Sequence, residues 1–237
     1  FHSTGKLLTH VNADGSLHLP NWTDVKANAV AALGLMLSDY DVVSVPMVLA
    51  DQYGNVVRGP HGFAQVTYQV LQTVGGVTTV FREGTIEGKA GGLNLDDLRT
   101  ELNNDGIATD AVPVNTATTT FTVQYVGAGV PFINDMARAA SPFDDQGFPK
   151  PITGFDAALL GAHFIAGDGR VNENIGLTSI HDIFLHEVNR IADQTMALVQ
   201  QALDAGDTSM AKDWVLSGVD VTTLTAADIL LGRTTHL

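Results

Sequence analysis

The sequence predicts a mainly α-helical chain with a small β-containing excursion between about residues 64 and 126. Three observations carry that expectation. Val25, Ala29, Leu33 and Leu37 fall four apart, which places them on one helical face. Apolar residues recur at helical spacing from about Leu177 to Leu203, with Ile180, Phe184, Ile191 and Leu198 as the stripe. Between these regions, Val66, Tyr68, Val70, Val77, Val80 and Ile86 follow a strand-like pattern split by Gly75-Gly76, the signature of a hairpin.

The elements follow in order. Residues 1–20 are turn-rich, with Asp14-Gly15 as a turn, and Asn21 or Thr23 caps the first helix. Val42 to Leu49 is apolar but contains Pro46, so it is an edge strand or extended segment. Gly54-Asn55 and Gly59-Pro60 punctuate the chain before the hairpin. Leu93 to Leu102 is a short helix ended by Asn103-Asn104-Asp105-Gly106, and the Thr-rich stretch 116–123 is strand or loop. After Gly127-Ala128-Gly129, Pro131 suits a helix start, with Ile133, Met136, Ala137 and Ala140 behind it. Residues 141–154, with Pro142, Pro149 and Pro151, form a connector. Phe155, Leu159 and His163 are again four apart. Ser179 and Asp182 suggest a capping box for the long helix, and Thr225 to Asp228 another for a last short one. Three regions result: 1–63 as lead-in and first helix, 64–126 as a β-containing insertion, and 127–237 as a helical segment.

Bulk composition excludes several functions. The 237 residues are 45% hydrophobic and 16% charged, enough to bury a core. Twelve Lys and Arg against 26 Asp and Glu leave a net charge of -14, which repels nucleic acid and anionic lipid. Cysteine is absent, and with it disulfides, thiolate metal sites and thiol nucleophiles. Apolar runs such as 42–50 fall far short of the roughly 20 residues of a membrane span. The N-terminus, Phe1-His2-Ser3-Thr4, has neither an initiator Met nor a signal-peptide pattern and reads as a cut point inside a longer protein.

The chemistry-bearing stretch runs from Ala162 to Ala192. Arg170 and Glu173 are three apart, and on spacing alone they make an exposed ion pair worth about 0.2–0.5 kcal/mol. His181 and His186 are five apart, whereas zinc ligands on one helix face want a spacing of about four. Asp168 to Glu173 fails as a calcium loop, because Glu173 occupies the position of the required Gly. Gly127-Ala128-Gly129 lacks the third glycine of a dinucleotide fingerprint, and no Gly-x-Ser-x-Gly elbow occurs. His163 and His181 sit at apolar helix positions and are expected to be hydrogen-bonded residues of the core or beside a site, not metal ligands.

Three blocks in this stretch resemble the signature of the animal-type haem peroxidases. They are Gly167, Asp168, Arg170 and Glu173; then Leu177, Thr178 and His181; then Glu187, Asn189, Arg190 and Ala192. Residues 21–63 are similar, more loosely, to long bacterial members of that family. In the third block His186 stands where the family has Arg, and Val188 where it has His; altered helix packing is the expected consequence.

The resemblance implies a helical peroxidase fold and haem b as cofactor. It implies that Arg170 is the distal arginine, and that Glu173 is a haem-binding carboxylate that in many relatives forms an ester with a haem methyl. It further implies hydrogen peroxide and small reducing substrates, organic or halide, as partners. The distal and proximal histidines come from the remainder of the parent chain, as does any calcium site. A secreted, bacterial location goes with the same branch. On this reading the segment alone is inactive. The rival expectation is a non-catalytic extracellular scaffold or adhesion module retaining the fold.

Overall fold

The computed structural model describes residues 6–51, 56–107, 110–209 and 220. The helix expected after Thr225, the turn at Gly54-Asn55, and His2 lie outside these. The chain divides into two compact units, residues 1–20 with 173–237, and residues 21–172.

The larger unit begins with α1, Trp22–Asn28. Asn21 caps it as one of the two expected residues. Its side-chain oxygen accepts the Asp24 amide at 3.0 Å, while the Asp24 carboxylate accepts the Asn21 amide at 2.8 Å. The helix loosens into a wider turn over Ala29–Leu33 and stops at Gly34. Gly34 has φ of 72°, and a Cβ there would come within 2.5 Å of the Phe63 ring. Leu37 therefore lies beyond the helix, although it and Ala29 are both buried as the stripe requires.

Two short strands, β3 (Leu35–Met36) and β6 (Leu93–Asn94), pair in parallel. The main sheet has the order β5-β4-β7, with β4 (Gln65–Val74) central, β5 (Val77–Glu87) on one side and β7 (Thr119–Tyr125) on the other, all antiparallel. Gly75 and Gly76 make the β4–β5 turn with φ of 58° and 81°, the positive pair that a two-residue hairpin demands. Along the first six residues of β4 burial alternates, until a register shift between Val70 and Leu71. Val66, Tyr68 and Val70 face a core shared with Trp22, Leu35, Val42, Leu93, Leu98 and Phe121. The short helix α2 spans Leu98–Asn104. Around Pro46 the chain is extended, as expected, with Pro46 bridging to Gly127 and Val48 to Val66.

Two expectations are corrected. The described residues are 34% helical and 24% strand, with three sheets, so the chain is mixed and not mainly α. Part of the reason lies at residues 131–140, which form no helix. Their amides are taken by distant acceptors: Phe132 donates to the Val42 carbonyl at 2.8 Å, Asn134 to the Gly169 carbonyl at 2.8 Å, and Ala137 to the His163 ring at 3.1 Å. A helix would need those same donors for its own carbonyls. The Thr-rich stretch becomes β7 because an open β4 edge satisfies its backbone.

The smaller unit holds a two-stranded ribbon, β1 (His10–Val11) with β2 (Leu17–His18), and the 30-residue helix α4, Ile175–Asp204. The cap of α4 is Asn174, whose side chain accepts the Leu177 amide at 2.9 Å. Ser179, the expected cap, lies a turn inside and donates its hydroxyl to the Ile175 carbonyl. Asp182 accepts the Leu19 amide at 3.0 Å, and Asn189 exchanges two hydrogen bonds with the backbone of Leu7. The predicted stripe is reversed: Ile180, Phe184, Ile191 and Leu198 are each about half exposed or more, while Leu185, Ala192, Met196 and Val199 are buried.

Candidate functional site

The site is built on the loop between α3 (Ala157–Gly161) and residue 172. Asp156 caps α3 by accepting the Leu159 amide at 2.9 Å, and the chain then turns at His163. Asn172 closes the loop upon its own start. Its side chain accepts the Phe164 amide and donates to the Phe164 carbonyl, both at 2.9 Å. Val171 beside it is fully buried. The tip, Asp168-Gly169-Arg170, rests against residues 134–135, where the Gly169 carbonyl accepts the Asn134 amide. A Cβ on Gly169 would meet the Asn134 side chain at 2.9 Å, so any larger residue here would have to push Asn134 aside.

At that tip, one carboxylate makes three contacts. Asp168 Oδ1 accepts the Arg170 backbone amide at 3.0 Å and Arg170 Nε at 3.2 Å, and Oδ2 accepts Nη2 at 3.0 Å. The ion pair that fixes Arg170 is therefore with Asp168, two residues earlier. The Arg170 side chain is 64% exposed and that of Asp168 is 29% exposed.

Arg170 and Asp168 line a cavity of about 550 Å3, with Val45, Val130, Pro131 and Phe132 as its apolar wall and Asn134 beside the loop tip. Phe132 is held by the core: its ring lies 5.1 Å from that of the fully buried Trp22. Val45 and Val130 are joined by a backbone hydrogen bond of 2.8 Å. The cavity thus offers a rigid apolar surface with one oriented cation at its rim.

Glu173 stands exposed, immediately before the α4 cap, as the first residue of the smaller unit. His163 is hydrogen-bonded, as expected. Its Nδ1 lies 2.8 Å from the Leu159 carbonyl, which can only accept, so Nδ1 carries the proton and Nε2 accepts the Ala137 amide. Both ring nitrogens are occupied, which leaves none for iron. His61 pairs with Glu87, and His18 and His186 both approach Asp182, at 3.6 and 3.7 Å. Among the described residues no group of three or more His, Asp or Glu is arranged to hold a metal ion. None of their helices is long and apolar enough to cross a membrane.

Haem would find here an apolar face and one arginine, Arg170. Among the described residues no histidine lines the cavity, so an iron ligand would have to come from other residues. The sequence names Arg170 and Glu173 as candidate site residues, with Asp168 as a motif position, and does not single out Asn134 and Asn172, which hold the loop. Neither carries a signal of its own, because each acts on backbone that is remote in sequence. Of the two departures in the third block, His186 sits one turn from Asp182 and Val188 is 40% exposed, both on α4.

No curated protein and no solved structure matches the chain. The family model for animal haem peroxidase matches residues 137–205. That match spans all three motif blocks and the loop that carries Arg170. Over residues 137–205 the chain is therefore similar to the animal haem peroxidases, a family of haem-binding oxidoreductases.

Proposed function

We propose that this chain is a working part of a haem peroxidase that reduces hydrogen peroxide while oxidising small organic substrates or halide. The observation that carries the reading is Arg170, which the resemblance equates with the distal arginine and whose guanidinium is oriented by a carboxylate beside an apolar cavity. Haem, when bound, supplies the iron and the electrons for O–O cleavage. Arg170 stabilises the negative charge that gathers on the departing oxygen. Its guanidinium is charged at every working pH, and a charge already oriented needs no reorganisation as the barrier is crossed. Loss of one such donor costs about 10²–10³ in turnover. Glu173 orients the porphyrin through its carboxylate, with an ester to a haem methyl as the covalent form. Iron-ligating and proton-relaying histidines are contributed by residues beyond those described.

Haemin titration followed at the Soret band tests the reading, using the chain and the longest native polypeptide that contains it. Specific uptake by the native polypeptide, with part of the haem resisting acid–acetone extraction unless Glu173→Gln is present, is the expected result. A native polypeptide that takes up no haem would sink the proposal. The scaffold reading, which the histidine-free cavity favours, would then take its place.

A further inference from the structure

The geometry assigns Asp168 as the positioning residue of Arg170, an inference that takes its chemistry from the peroxidase reading and its structural content from the loop alone. Three contacts converge on one carboxylate. Oδ1 accepts the Arg170 backbone amide, which fixes the turn, and the same oxygen accepts Nε; Oδ2 accepts Nη2. Because the turn sets the Asp168 rotamer, the carboxylate plane is fixed, and the two side-chain contacts transmit that plane to the guanidinium.

Stability does not account for the arrangement. An ion pair between a side chain 64% exposed and one 29% exposed contributes little to folding, since water screens it and two side chains must be ordered. The loop is already closed by the Asn172–Phe164 pair and seated by Gly169 on Asn134. What the carboxylate adds is direction: a long, exposed side chain that would sample many rotamers is held in one, at the cavity rim. The clamp therefore acts on the orientation of the reacting cation.

Asp168→Asn separates the two roles. An amide oxygen still accepts the backbone amide and keeps the turn, while its NH2 faces Nη2 as donor against donor and opens the clamp. Asp168→Ala removes both. The readout that a purely structural role would not move is the Arg170 Nη2–H signal in proton–nitrogen NMR, together with its exchange with water. In Asp168→Asn, Nη2–H exchange should rise about tenfold or more, while the Arg170 backbone amide, still accepted by Oδ1, keeps its protection within about twofold. In Asp168→Ala both should accelerate. With haem bound to the native polypeptide, Asp168→Asn should lower kcat for peroxide turnover about tenfold and leave the KM of the reducing substrate unchanged. Unaltered Nη2–H exchange in both variants overturns the clamp. A freed Nη2–H together with full turnover in Arg170→Ala would support the clamp and refute the peroxidase role of Arg170, so the two failures are distinguishable.

Discussion

Asp41 is the one buried charged residue among those described, and it shows how the larger unit is bolted together. It is 2% exposed, yet three donors reach it: the Tyr125 hydroxyl at 2.6 Å, the Ser38 amide at 2.6 Å and the Ser38 hydroxyl at 3.1 Å. Burial outweighs these donors and raises the Asp41 carboxyl above its ordinary 3.8; burial, with the adjacent Asp41 second, raises Tyr125 as well. A carboxyl raised on folding binds its proton more tightly in the native state. Its contribution to stability is full below 3.8 and is lost as pH rises through the raised value. Comparing urea unfolding of wild type and Asp41→Asn, the wild type should gain relative stability as pH falls from neutrality toward 4; a difference that does not change with pH would refute this. Tyr125→Phe deletes a hydrogen bond to a buried carboxylate and should cost about 1.5–3 kcal/mol at neutral pH. A cost near zero would mean that the Tyr125–Asp41 contact carries no weight.

At the scale of elements, α4 separates what local sequence dictates from what tertiary context decides. Its existence and length follow from periodicity, but its start and its buried face do not. Asn174 and Ser179 are both good caps by type, and the choice falls to the residue whose own backbone is extended, Asn174 with ψ of 157°. Asn174→Ala should therefore cost about 1 kcal/mol and Ser179→Ala within about 0.5, measured by denaturant unfolding; the reverse order would move the helix start. The two apolar faces of α4 are of similar strength, so the sequence could not say which one is covered. Leu185→Ala should cost about 2–5 kcal/mol, whereas Ile183→Glu, at a side chain already 66% exposed, should stay within about 0.5. By contrast, the β4–β5 hairpin was legible, because Gly75-Gly76 and the alternation of Val66, Tyr68 and Val70 are both local signals. The Pro131 segment was not, since its amides are claimed by Val42 and Gly169, far away in the chain.

At the scale of the whole molecule, the chain combines a mixed α/β unit with a helical one. The mainly helical expectation failed where strands depend on partners that local pattern does not name. β7 becomes a strand only because β4 offers it an edge, and β3 only because β6 lies beside it. The segment that matches the family model was legible in the sequence. Three spaced blocks located Arg170 and Glu173 within the segment that matches the peroxidase family. Its support was not legible: the seat of Gly169 on Asn134 and the closure by Asn172 are visible only in three dimensions. The central claim is that Arg170 is a reacting cation of a haem peroxidase. Its most direct test is peroxide-dependent oxidation of an organic dye by the haem-loaded native polypeptide, comparing wild type with Arg170→Ala at matched haem occupancy. The account predicts a fall in kcat of about 10²–10³ with haem uptake intact. Equal turnover in the two proteins would contradict it.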